Sequence, residues 1–208
     1  MGFRGLLLLL ALVTVAGCGG EEAAIDPAVR SATFRFAETV TPEDREWILA
    51  AVDKVRPEAR LLIDDVDGMT VLSTYSDPGG GAVGLMREAS PGNYEVTFNL
   101  AYLNGERKLD RDSTVAHELG HVIDAALVAP ELRDRLAASL PPSGGCVTEA
   151  MGDCTSAPER FADTFAKWAL RGAVSLAGAG YGVASPASLE DWGAPLASLA
   201  IDVEVASR

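Results

Sequence analysis

Both histidines of this 208-residue chain stand in one stretch, DSTVAHELGHVIDAAL (112–127), at positions 117 and 121, and Glu118 follows the first directly. Random placement of two histidines and the chain's glutamates gives this arrangement on the order of once in 1,500 chains, so the spacing calls for a reason. On a helix, residues four apart lie about 40° from one another and one turn along the axis, so both imidazoles can reach a single cation, and zinc is the cation that suits them. Glu118 points about 100° away from His117, beside the cation and not onto it. There a carboxylate can take a proton from water and pass it to a leaving amine. Val115, Leu119, Val122, Ile123 and Ala126 form the opposite, apolar side, and Gly120 leaves room for another backbone.

A catalytic zinc takes three protein ligands, and the chain has no third histidine. A carboxylate must complete the set. The best candidate lies in PERFADTFAKWAL (158–170), where Phe161, Phe165, Trp168 and Ala169 form a buried face and Arg160, Thr164, Lys167 and Arg171 a solvated one. Glu159 and Asp163 fall together, away from those cations. Two partly buried carboxylates four apart repel each other and call for a positive partner. Zinc on Glu159, with Asp163 accepting a hydrogen bond from a ligating histidine, supplies one. The competing arrangement pairs Asp163 with Lys167 and leaves Glu159 at the helix start. Asp124 lies near His117 on the wheel but two turns on, placed to orient His121 or to stabilise the helix end. Cys146 or Cys154 as ligand in place of Glu159 is the remaining alternative.

Around these residues the chain reads as α+β. TPEDREWILAAVDKV predicts a helix over 42–56, with Thr41 as cap, Pro42 in the first turn and Glu43 and Asp44 at the positive end. Strands are expected at 60–66, 69–75 and 82–87, separated by DG and DPGGG turns. NYEVTFNLAYL predicts a strand over 93–103, with Tyr94, Val96, Phe98, Leu100 and Tyr102 on one face and Glu95, Thr97, Asn99 and Ala101 on the other. Helices follow at the histidine stretch, at 130–140 and at 158–171, and the tail after Tyr181 fits no single element. Strands before helices indicate a small antiparallel or mixed sheet followed by the active-site helix and C-terminal helices.

The N-terminus reads as an address. MGFRGLLLLLALVTVAGC carries one cation, Arg4, and an apolar run too short to span a bilayer, which suits a secretory signal peptide. Its end, VAGC, resembles a bacterial lipobox, so residues 1–17 are expected to be removed, Cys18 acylated, and 18–30 to form a tether to a single domain at 31–208. Outside the cytoplasm Cys146 and Cys154 are expected to form a local disulfide. The formal charge of −13 excludes the basic footprint that nucleic acid or an anionic membrane surface needs. Membrane contact is therefore expected through the N-terminal lipid alone, at the extracytoplasmic face of a bacterial cell membrane.

HELGH followed by ERFADTFA resembles the gluzincin branch of zinc metallopeptidases, and the version HELGHVID…ERFADTFA is similar to the catalytic domain of anthrax lethal factor and its small secreted relatives. The resemblance covers 113–166, with HExxH its more specific half. It implies His117, His121 and Glu159 as zinc ligands, Glu118 as general base and Asp163 supporting a ligand. It also implies a zincin-like fold in which an antiparallel edge strand binds extended peptide, and residues 93–103 are the expected strand. Those relatives place an oxyanion-stabilising tyrosine shortly before the ligand glutamate, whereas no tyrosine lies between His121 and Glu159 here. Tyr181, in GAGYG, is the expected substitute and Tyr102 the other option. The expected function is hydrolysis of peptide bonds in proteins outside the cytoplasm. Its rival is a weak or inactive zinc-binding surface lipoprotein that holds a peptide or protein partner.

Overall fold

The computed structural model describes residues 34–104, 109–141, 156–173 and 183–206. The chain divides into two units, Met1–Ser31 and Ala32–Arg208, and the described residues all belong to the second. Cys18, Cys146, Cys154 and Tyr181, with the expected signal peptide and tether, lie outside the described residues.

The first helix follows its local chemistry. Thr41 accepts a hydrogen bond from Asp44 N, Pro42 occupies the first turn, and α1 runs Pro42–Asp53. It buries Trp47, Ile48, Ala51 and Val52, the apolar stripe of its sequence.

The expected strand at 60–66 is a helix, α2, Pro57–Val66. Pro57 opens it, and Ala59, Leu62, Ile63 and Val66 recur at helical spacing and are completely buried. Arg60 closes onto Asp64 one turn on, 2.6 Å. A run of three apolar residues, LLI, is too short to separate strand from helix unless the flanking spacing is counted.

Four strands make one mixed sheet: β1 Arg35–Phe36, β2 Thr70–Tyr75, β3 Gly84–Ser90 and β4 Asn93–Asn99, in the order β1-β2-β4-β3. The β1–β2 and β2–β4 pairs are parallel and β3 returns antiparallel to β4. Two expectations change as a result. The 93–103 segment stops being a strand at Asn99, whose side chain caps a short helix α3, Leu100–Leu103, by accepting from Ala101 N. And β4 is an interior strand, paired on both sides; among the described residues the edges are β1 and β3.

The inner face of the sheet carries Leu72, Tyr94, Val96 and Phe98 into the core. Helix α4, Arg111–Ala126, lies against β3 and β4 and is also covered by α1, α2 and α6. Asp110 caps it by accepting from Ser113 N. The remaining helices are α5 Pro130–Ala138, α6 Ala157–Ala169 and α7 Leu189–Ala206. Helix α7, in the tail that sequence left open, packs on α2 and α6 despite Pro195 inside it. The result among the described residues is an α+β domain of seven helices and a four-stranded sheet.

Candidate metal centre

Helix α4 presents His117 and His121 from adjacent turns, and both are buried. Their rings meet edge to face, with centroids 4.7 Å apart and Nε2 atoms 3.1 Å apart. Helix α6 brings the third group. Gly120 makes this approach feasible, because a Cβ there would stand 3.0 Å from Phe165 Cδ1 and 3.3 Å from the Ala162 Cα. Glu159, one turn before Ala162, then places Oε2 3.1 Å from His117 Nε2 and Oε1 3.4 Å from His121 Nε2. One ligand atom from each residue fits within 4.8 Å of the others, a group that could hold a metal ion. Donors on a tetrahedron with arms of about 2.0–2.1 Å stand about 3.3–3.4 Å apart, so the spacing and the His₂Glu chemistry both fit zinc with an open fourth position.

The surroundings set the protonation of the cluster. Burial pushes His117 down to about 4 against the opposing hydrogen bond with Glu159. His121 is also opposed by burial, yet it is raised, because the bond with Glu159 and the charges of Glu118, Glu159 and Asp124 outweigh that cost. Burial works on Glu159 in the upward direction, but the two histidines hold it down, to about 2. The cluster by itself therefore holds Glu159 as the carboxylate, and of the two imidazoles His121 takes up a proton more readily than His117.

Glu118 is buried and stands on the sheet side of α4. A Cβ at Gly84, the first residue of the edge strand, would overlap its carboxyl group, 2.6 Å from Cδ and 2.7 Å from Cγ. Burial raises Glu118 to about 7; the Glu159 charge adds to the rise and His121 opposes it. A carboxyl poised near neutrality beside a strand edge suits a base that takes a proton and returns it.

The outlying candidates are placed as follows. Asp163, 2 % exposed, accepts from Lys167 Nζ at 2.5 Å, the first half of the competing arrangement, whereas Glu159 reaches the two histidines and so departs from its second half. Lys167 also donates to Val183 O. Asp124 bonds Arg133 Nε at 2.6 Å, and its carbonyl takes the same guanidinium, so it ties the end of α4 to α5. Tyr102, half-buried in α3, packs against the core. The face of α6 expected to be solvated is largely covered. Thr164 is completely buried, and Arg160 donates to the Leu140 and Pro141 carbonyls at the end of α5.

Sequence reasoning missed Gly84 and Asn99. Gly84 stood unremarked inside the expected strand 82–87, just after the DPGGG turn, and Asn99 was assigned to the polar face of its strand. Its signal was an asparagine at the point where alternation gives way to LAYL. No family model, curated protein or solved structure matches this chain.

Proposed function

We propose that the chain is a zinc-dependent peptidase of gluzincin type, zincin-like in fold, anchored by a lipid on Cys18 at the extracytoplasmic face of a bacterial membrane. The observation that carries this reading is the convergence of His117, His121 and Glu159 on one point, with the Glu118 carboxyl between that point's helix and Gly84 of the edge strand β3. Zinc, when bound, supplies Lewis-acid polarisation of the scissile carbonyl and acidifies water. Glu118, buried beside that point, is the base that takes a proton from water and gives it to the departing amine. Among the described residues β3 pairs with β4 alone, so its outer side is where an extended peptide can pair, in the place expected of 93–103. Gly84 keeps that edge free of a side chain where it passes Glu118. The anchor rests on the VAGC stretch, and no described helix is long and apolar enough to cross a membrane.

The test is metal content and turnover of the purified chain beside His121→Ala, Glu159→Ala and Glu118→Gln. One zinc per chain, lost in the first two variants and kept in the third, with peptide cleavage lost in all three, is the expected pattern. Zinc retained without Glu159 moves the third ligand elsewhere. Equal cleavage by wild type and Glu118→Gln, or none by either, removes the peptidase and leaves the zinc-binding partner protein.

A further inference from the structure

The loop that delivers the edge strand to Glu118 is DPGGGAV, residues 77–83, a sequence with little intrinsic order. Its fixation comes from two side chains, Asn99 and Tyr75. Asn99 is completely buried at the end of β4, and its amide uses its full hydrogen-bonding capacity. Oδ1 accepts from Asp77 N at 3.0 Å and Ala101 N at 3.2 Å, and Nδ2 donates to Asp77 O at 3.1 Å and Gly80 O at 3.4 Å. Its backbone N donates to Val83 O at 2.9 Å. Tyr75, at the end of β2, grips the far side of the same loop by donating its hydroxyl to Ala82 O at 2.9 Å. Gly81 adopts φ 77° under that ring, and a Cβ there would stand 2.7 Å from the hydroxyl. The two grips leave Val83 buried and set Gly84 directly over the Glu118 carboxyl.

We propose that Asn99 and Tyr75 are positioning residues for Glu118: they clamp the 77–83 loop and thereby fix how closely Gly84 and the edge strand stand over the general base. Neither residue is one of the three convergent ligands, so their loss moves the base and the strand relative to each other without removing a metal ligand. The role rests on the peptidase reading of Glu118. It also explains why a loop with three consecutive glycines sits beside the site: glycine supplies the tight path, and the clamp supplies the rigidity that glycine lacks.

The experiment uses the full chain loaded with Co²⁺, in wild type, Tyr75→Phe and Asn99→Ala. Tyr75→Phe keeps the ring and the core, so it tests the clamp even if Asn99→Ala fails to fold. Amide exchange in 77–84 is expected to rise about tenfold in Tyr75→Phe while exchange in α4 and the Co²⁺ absorption bands stay as in wild type. On the peptide of a fluorescence-quenched library that wild type cleaves fastest, kcat is expected to fall about tenfold in Tyr75→Phe and about 100-fold in Asn99→Ala, with KM within about twofold. Unchanged exchange at 77–84 overturns the clamp, and unchanged kcat with a loosened loop overturns the positioning role. Altered Co²⁺ bands would mean the effect passes through the ligands, which also overturns it. A wild type that binds Co²⁺ and cleaves nothing defeats the peptidase reading and the positioning role together, whereas an active wild type matched by both variants defeats the positioning role alone.

Discussion

Gly120→Ala separates the fold from the site. Helix α6 rests on α4 at this glycine, and the added methyl carbon would meet Phe165 Cδ1 at 3.0 Å and the Ala162 Cα at 3.3 Å. Carbon atoms in comfortable contact stand about 3.5–4.0 Å apart, so α6 must give by a few tenths of an ångström at Ala162. The Phe165 ring can tilt, but Ala162 is backbone and moves only with its helix. Overpacking of this kind costs about 1–3 kcal/mol, and replacing a helical glycine by alanine returns about 1 kcal/mol, so net stability falls by no more than about 2 kcal/mol.

The site is less forgiving. Glu159 lies one turn before Ala162, and its carboxylate stands 3.1 and 3.4 Å from the two imidazole nitrogens, so the retreat reaches it nearly undiminished. A displacement of that size uses up much of the about 0.5 Å within which a ligand set must be held, and zinc affinity is expected to fall about tenfold. Competition with a chromophoric chelator reads the affinity, and urea unfolding of the metal-free protein reads the stability. Zinc affinity equal to wild type in a folded Gly120→Ala chain would refute the claim that this helix crossing sets the third ligand.

Two further outcomes follow from the same structure. In metal-free protein, Glu118→Gln is expected to be more stable than wild type by up to about 3 kcal/mol above pH 7, because the Glu118 carboxyl is raised from 4.5 to about 7 by burial. Its folded pKa exceeds its unfolded one, so Glu118 stabilises below pH 4.5, that contribution is lost as pH rises toward 7, and the gap between the two proteins must close between pH 7 and 4.5. Urea midpoints across that window check it, and a pH-independent gap would exclude burial of the charge as its cause. Gly193→Ala is expected to cost about 1–3 kcal/mol, because its methyl would overlap the completely buried Trp168 indole where α7 meets α6. Zinc content should be unchanged, and a Tm equal to wild type would show that α7 can shift freely.

What the sequence made legible was the chemistry that fits inside one element. The His117–Glu118–His121 spacing needs only a helix to become a site, and Thr41, Pro42, Glu43 and Asp44 specify the start of α1 without help from elsewhere. The buried face of α6, Phe161, Phe165, Trp168 and Ala169, was readable for the same reason. Its opposite face was not, because the carbonyls that take Arg160 belong to residues about 20 positions away. The exchange of roles between β4 and β3 is the sharper case. Alternation shows that a strand has two faces, but only pairing decides whether it has a free edge, and here β4 pairs with β2 across 24 positions as well as with its hairpin neighbour. Asn99 read as one more polar residue in an alternating strand because its partners, Asp77 and Gly80, stand 22 and 19 positions earlier. The groups proposed to react therefore announce themselves locally, while the spacing of Glu118, the His117–His121–Glu159 group and the edge strand depends on Gly120, Gly84 and Asn99 through contacts far apart in the chain. Two of those three are glycines, residues whose contribution is the absence of a side chain, and an absence shows in a sequence only once the neighbour that fills the space is known.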